Sequence, residues 1–230
     1  NSCPTMFIRY LGHSSFYIRS SKGTAVVLDP YSSNIPYQFP SIDADIVVMS
    51  HEHRDHNASY RVGGNPMLVK PTSPYLMENE LNVVRTQERL TFYGVPTYHD
   101  NFNGRRRGPN TVWHFYWEGI HFVHLGDLGH ILTDTQVGQI SKADVLFIPV
   151  GGNTTLGPAE AGLVINQLQP NIVLPMHYKT DKIANLSMCS NTLDDFVVRM
   201  DRVEDMASMS MDISQESLPV ETTVALLRYE

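Results

Sequence analysis

Cysteine is scarce: Cys3 and Cys189 are the only two in 230 residues. They can form one bridge at most, so the chain is no disulfide-stapled scaffold. Neither stands at metal-ligand spacing, and both are expected to be reduced and incidental. Long apolar runs are missing too. No stretch approaches the ~18–20 residues of a membrane span, and none is expected. Positive charge is sparse, with 17 Lys and Arg against 24 Asp and Glu and a net charge of −7. Nucleic-acid backbones are gripped by clustered Lys and Arg, and nothing basic extends beyond Arg105, Arg106 and Arg107; no nucleic-acid partner is expected. A small anionic substrate stays compatible. Repeats of solenoid period and low-complexity segments are absent. So is a Met at position 1: residues 1–5 read as a remnant ahead of a natural start at Met6, or as a processed N-terminus. Cytoplasmic residence is the default expectation.

What is present is an ordinary globular composition, 42% hydrophobic and 18% charged. The length suits one sizeable core, and a single domain over residues 1–230 is expected. Its focus is the stretch 50–57, Ser-His-Glu-His-Arg-Asp-His-Asn, which puts His51, His53, Asp55 and His56 within six residues. The apolar run 45–49 leads into it and reads as a buried strand. The cluster therefore sits at a strand's carboxyl end, where α/β folds place their chemistry. In extended chain His51, His53 and Asp55 project to one side and converge; His56, with Asp55, can serve a second point. Imidazole nitrogen and carboxylate oxygen are ligands for zinc and similar metals. Without a metal, so many titratable groups would be crowded and poorly solvated.

Apolar runs recur along the chain. Strands are expected at 7–10 and 16–19 around the turn Gly12-His13-Ser14-Ser15, and at 24–28, ending in Asp29. A carboxylate there could orient a ligand histidine. Further short strands are expected at 67–70, 82–85, 90–93 and 94–98, the last delivering His99. The Gly- and Arg-rich loop 101–110 could offer an arginine to an anionic substrate. A hairpin at 111–117 and 120–125 delivers Asp127 between Gly126 and Gly129, where glycine permits close approach. His114, His121 and His124 lie inside strands and read as structural. From 133 the pattern becomes α/β: helices at 133–140, 158–168 and 192–200, strands at 144–150, 171–175 and 222–229. The strand at 171–175 delivers His177.

In that order, His51-x-His53-x-Asp55-His56, His99, Asp127 and His177 resemble the metallo-β-lactamase superfamily, and Asp29 resembles the aspartate that precedes its cluster. Gly-His-Ser-Ser (12–15), Arg-Gly-Pro-Asn (107–110), His-Leu-Gly-Asp-Leu-Gly-His (124–130), Pro-Val-Gly-Gly (149–152) and Pro-Met-His-Tyr-Lys-Thr (175–180) resemble its small prokaryotic zinc-dependent hydrolases. That branch is related to ascorbate-6-phosphate lactonase and, more distantly, to N-acyl-phosphatidylethanolamine phospholipase D. The resemblance spans nearly the whole chain from Met6. It implies an α/β fold, a four-layer αβ/βα sandwich of two mixed sheets with helices outside. It also implies two divalent metal ions, zinc first and manganese or iron as alternatives. His51, His53 and His99 would hold one, Asp55, His56 and His177 the other, with Asp127 bridging. Related enzymes often self-associate, so a homo-oligomer is compatible.

The activity so implied is hydrolysis of a small ester, lactone or phosphoester by a hydroxide that both metals share. Asp55 and Asp127 are the expected catalytic carboxylates. Leaving-group protonation is assigned to metal-bound water, to His130 or to His13. The pocket walls are expected from loops 32–41, 71–80 and 101–109. Three rivals share the fold. A di-iron oxidoreductase resembles His-x-Glu-x-Asp, where this chain has His53, and 230 residues leave no room for a flavin domain. A persulfide dioxygenase keeps the histidines around one iron. A tRNA-trimming nuclease carries a basic arm that this chain lacks.

Overall fold

The computed structural model describes residues 3–71, 79–85 (backbone only) and 88–230. The described residues form strands β1 (Met6–Gly12), β2 (Ser15–Arg19), β3 (Ala25–Leu28), β4 (Ile46–Val48), β5 (Met67–Val69), β6 (Asn79–Arg85), β7 (Glu88–Tyr98), β8 (Pro109–Trp117), β9 (Ile120–His124), β10 (Val145–Pro149), β11 (Ile172–Met176), β12 (Val203–Asp205), β13 (Ser210–Ile213) and β14 (Thr223–Leu226). They form two mixed sheets, ordered β13-β1-β2-β3-β4-β5 and β12-β14-β11-β10-β9-β8-β7-β6. Strands β4, β10 and β11 are buried along their whole length and pair in parallel. Continuous Val/Ile/Leu runs are what a strand covered on both faces requires.

The sheets meet through aromatic side chains. Phe16 of β2 lies 4.5 Å from Phe147 of β10 across the two sheets, and within the second sheet Phe122 stacks on its cross-strand partner Phe115 at 5.3 Å. All four are essentially inaccessible to solvent, each contributing roughly 1.5–3 kcal/mol of transfer free energy. The outer face of β3 and β4 is covered by a second cluster, in which Ala44, Val62, Phe39 and Ile42 pack on Val27, Val47 and Met49. No helical residue contributes to it, so this outer layer is built from loop among the described residues.

Three helices follow the expected places. Thr133 caps α1 (Asp134–Ile140) in a capping box with Gln136. Helix α2 (Pro158–Leu168) starts on proline and buries Pro158, Ala161, Val164, Ile165 and Leu168, a stripe at helical spacing. The helix expected at 192–200 is shorter: α3 spans Leu193–Val197, buries only Phe196, and is followed by Val198 at 80% exposure. Beyond Val197 the chain closes in tighter turns, Arg199 N–H donating to Phe196 O and Met200 N–H to Val197 O at 3.0 Å, while Met200 still packs on the core. The two stretches expected at 90–93 and 94–98 are one strand, β7. Strands β12 and β13 escaped the sequence pattern because they are three and four residues long, β12 fully exposed and β13 with one buried residue, Ile213. No described helix is long and apolar enough to cross a membrane. Of the expected pocket wall 71–80, residues 72–78 lie outside the described residues.

Topology brings the chemistry to one edge. Strands β3, β4, β9 and β11 end there, β7 runs the same way as β9 through the intervening β8, and the β1–β2 turn pairs with the end of β3.

Candidate metal centre

Six strand ends deliver the site. After β4 the chain turns through residues 51–57 and supplies His51, His53, Asp55 and His56. Leu28 leads to Asp29 at φ +43, Tyr98 to His99, His124 to Asp127, Met176 to His177 at φ +52, and the β1–β2 turn to His13 at φ +54. Left-handed backbone at three non-glycine residues of one site is strain held by surrounding structure. The second sheet clamps the end of β4: Trp113 Nε1–H donates to Met49 O at 2.9 Å and Thr111 N–H to Ser50 O at 2.8 Å.

Glycine sets the closest approaches. A Cβ on Gly126 (φ +57) would meet Asn110 Oδ1 at 2.4 Å and Ser50 Cβ at 2.5 Å. One on Gly129 would meet the backbone N of Asp100 at 2.4 Å and the carbonyl carbon of His99 at 2.5 Å. Between these glycines Asp127 is fully enclosed, its N–H donating to Asn110 Oδ1 at 3.0 Å.

Four imidazoles converge on Asp127. The Nε2 atoms of His99, His56, His177 and His51 lie 2.9, 3.0, 3.4 and 3.5 Å from its Oδ2. One carboxylate oxygen has two lone pairs, so it cannot answer four donors. The outer nitrogens settle three of the tautomers. The Ser50 hydroxyl donates to Asp29, so Ser50 Oγ accepts from His51 Nδ1–H at 2.8 Å. His56 Nδ1–H donates to Asp29 Oδ2 at 2.8 Å, and His177 Nδ1–H to Cys189 Sγ at 3.3 Å, whose thiol donates back to His177 O. Each inner nitrogen then presents a lone pair to a carboxylate. His51 Nε2, His56 Nε2 and Asp127 Oδ1 are buried without a hydrogen-bond partner. Neutral rings held this way crowd lone pairs against an anion, which is what a cation-binding site presents, and the donor set suits zinc, manganese or iron. Outer partners on ligand histidines fix tautomer and orientation in such sites.

Protons compete for the same nitrogens. For His56 and His177 burial, the largest single influence, works downward, but Asp127 together with Asp55 and Asp29 around His56, and with Cys189 around His177, outweighs it and lifts both well above the usual imidazole range. Burial works upward on Asp127, and His177, His56 and His99 overcome it. Burial pushes His51 well down, His56 reinforcing it. Proton and cation are alternatives here, so uptake of one expels the other.

The donors fall into groups with ligand atoms within 4.8 Å of one another: His51, His53 and His99; His13, Asp55, His56 and His177; and a third, Asp29, His51 and His56, whose carboxylate is already bonded to Ser50 and His56 and leaves the first two as the candidate cation sites. Asp127 adjoins both. The extended-chain expectation that Asp55 converges with His51 and His53 is corrected: residues 51–56 form bends and a turn, so alternation does not apply. His130 is not brought in. Its Nε2 accepts from Tyr98 N–H at 3.1 Å and its Nδ1–H donates to Ile131 O, leaving neither a proton nor a lone pair free. His114, His121 and His124 bond to protein groups outside the two groups. Ser50, Asn110 and Cys189 escaped sequence reasoning as orienting residues: Asn110 and Cys189 act on residues elsewhere in the chain, and Ser50 accepts from its neighbour His51 because Asp29, 21 residues away, takes its hydroxyl proton.

A cavity of about 670 Å³ opens beside His99 and Gly129, bordered by Arg106, Arg107, Arg199, Thr154, Thr155 and the first turn of α2. Asp100 shapes one wall. Its carboxylate accepts backbone N–H groups from Phe102, Gly104, Arg106 and Arg107 at 2.7–2.9 Å. That winds the loop into one form and lays the Arg106 guanidinium 3.7 Å from the Phe102 ring centre. Arg107 also borders a smaller recess of about 100 Å³ at His51 and His53.

Comparison with known proteins agrees with this architecture. Residues 7–177 match the model of the β-lactamase superfamily domain. A UPF0173 metal-dependent hydrolase of Methanosphaera stadtmanae is 31% identical over 202 residues, covering 76% of this chain and 85% of that one. A Thermotoga maritima structure, assigned to the metallo-β-lactamase superfamily as a Zn-dependent hydrolase, superposes with a TM-score of 0.74 at 33% identity, over 96% of this chain and 98% of that one. Igni18, a metallo hydrolase of Ignicoccus hospitalis, shares the fold with a TM-score of 0.64 at 18% identity, over 96% and 94% of the two chains. Strand-end donors at one sandwich edge, a family model over most of the chain and a relative aligned over most of both lengths lead to one conclusion: this chain belongs to the metallo-β-lactamase superfamily, among its metal-dependent hydrolases.

Proposed function

We propose that the two donor groups hold two divalent cations, zinc in the first instance, and that the protein hydrolyses a small ester, lactone or phosphoester bearing an anionic group. The observation that carries this is the convergence of four imidazole Nε2 atoms on one oxygen of Asp127, three with the outer nitrogen already committed. Two cations so held supply a water-derived nucleophile near neutral pH and polarise the bond to be cleaved.

The chain's own residues do the rest. Asp127 stands between the groups and keeps them in register. Asp55 serves the His56 and His177 side. Asp29 and Ser50 hold the rings of His51 and His56 so that little rearrangement accompanies reaction. Arg106, Arg107 and Arg199 border the cavity next to His99, where a carboxylate or phosphate would find guanidinium donors. Manganese or iron would suit the same nitrogens and oxygens. His130 takes no part, for the reason given above.

The test is metal analysis of the purified protein together with a panel of lactones, esters and phosphodiesters, each with and without an anionic group. Two metal equivalents are expected, activity is lost on chelation and restored by zinc, and His53→Ala holds less metal. Undiminished turnover after complete removal of metal would overturn the reading, as would His53→Ala retaining both ions.

A further inference from the structure

The turn between β1 and β2 carries a histidine in an unusual backbone conformation. His13 stands at φ +54 directly after Gly12 at φ +100, with its side chain fully buried. Left-handed backbone at a residue with a Cβ persists only where neighbours over-determine it. Here the His13 carbonyl accepts from the Tyr10 hydroxyl at 2.7 Å and from His177 N–H at 3.0 Å. The turn is thereby fastened to the strand end that carries His177. The His13 ring lies 4.3 Å from the ring of His177 and 5.1 Å from that of His56, with Nε2 2.8 Å from Asp55 Oδ2.

A histidine so placed could be a further cation donor, or a hydrogen-bond donor that orients Asp55. The far nitrogen separates the two. His51, His56 and His177 each give Nδ1–H to a partner, which frees Nε2 as a lone pair. Nδ1 of His13 is buried with no partner, as is Nδ1 of His99, but His13 Nε2 stands in hydrogen-bond geometry to Asp55 Oδ2, whereas His99 Nε2 stands only at ion-pair distance from Asp127. Ligation through Nε2 would put the proton on Nδ1 and bury an unanswered N–H. With the proton on Nε2, Asp55 gains a donor and only a lone pair goes unanswered. Orphaned N–H groups are the rarer of the two in folded proteins.

We propose that His13 is a positioning residue of the metal centre: its Nε2–H holds the Asp55 carboxylate to the His56 and His177 half, and the His51, His53 and His99 half does not depend on it. The inference rests on the two-cation reading and goes beyond it by assigning a residue outside the ligand set.

His13→Ala and His13→Gln test it, because both carry the same left-handed strain and only Gln keeps an N–H donor. Zinc is titrated into metal-free parent and variants against a chromophoric chelator, and far-UV circular dichroism checks folding. The parent is expected to bind two equivalents. In His13→Ala the first binds as in the parent and the second is weakened about 10–100-fold, while His13→Gln recovers most of the loss. Should His13→Ala not fold, His13→Asn replaces it, since asparagine tolerates left-handed backbone but is too short to reach Asp55. Parental affinity for both equivalents, equal weakening of both, or a Gln variant no better than Ala would overturn the proposal. A parent that binds no zinc would sink the proposed function and this inference together; parental binding by His13→Ala sinks this inference alone.

Discussion

Asp29→Asn is the perturbation with the most direct structural consequence. Asp29 takes three donors on two oxygens: Ser50 N–H at 2.7 Å on Oδ1, and the Ser50 hydroxyl and His56 Nδ1–H on Oδ2. Asparagine fits the volume and tolerates the φ of +43, so the fold is retained. It replaces one acceptor oxygen with an NH2 group, and at least one of the three donors then faces another donor. An unanswered buried group costs about 1–3 kcal/mol, which should appear as a lowered unfolding free energy of the metal-free protein. The functional effect is separate. Without a carboxylate beside it, His56 can shift its proton to Nε2, where it meets Asp127 and removes the lone pair a cation needs. Loss of such an outer partner weakens metal affinity about 10–100-fold, or about 1.4–2.7 kcal/mol. Chelator competition at fixed pH, beside thermal unfolding with and without zinc, reads both. A variant that unfolds more easily yet binds zinc with parental affinity would refute the tautomer argument and reduce Asp29 to a structural residue.

Other perturbations discriminate as clearly. Gly129→Ala drives a Cβ into the backbone of His99 and Asp100; overpacking of this kind costs about 1–3 kcal/mol, and the displaced His99 should lower metal content measured by elemental analysis. His130→Gln is expected to lower thermal stability, through its bonds to Tyr98 and Ile131, while leaving turnover per bound metal within about twofold, where a proton donor would lose the ~10²–10⁴-fold typical of acid–base catalysis. His114 is held neutral, lowered to about 4 by burial and then by His121, from an ordinary 6.5. The unfolded chain binds the extra proton between those values, so this stability is complete above pH 6.5 and lost as pH falls toward 4, on the order of 3 kcal/mol. Denaturant unfolding at pH 7 and pH 4.5 should show a smaller difference for His114→Gln than for the parent, and an equal difference would contradict the assignment.

Much of the architecture is legible in the sequence. Apolar runs within 45–49, 144–150 and 171–175, each opening after a single polar residue, mark strands covered on both faces, because only such strands need apolar residues at every position. Proline at 158, followed by apolar residues at three- and four-residue spacing, marks α2 with its ends. The donor order His51, His53, Asp55, His56, His99, Asp127 and His177 was legible because each donor follows an apolar run, and strand ends are where side chains leave the core. Local chemistry of this kind is carried by a few consecutive residues and needs no knowledge of what lies opposite.

What only the tertiary structure decided is which donors share a point. Residues 51–56 turn instead of running extended, so Asp55 leaves His51 and His53 and joins His56, His177 and His13. The outer partners Ser50, Asn110 and Cys189, and the engagement of His130 with β7, depend on contacts between segments distant in the chain. Sequence determined the donors and the strands that bear them, through periodicity and residue chemistry. Packing of the two sheets, with strand ends and turns held in left-handed conformations by hydrogen bonds across the edge, decided the direction in which each donor faces.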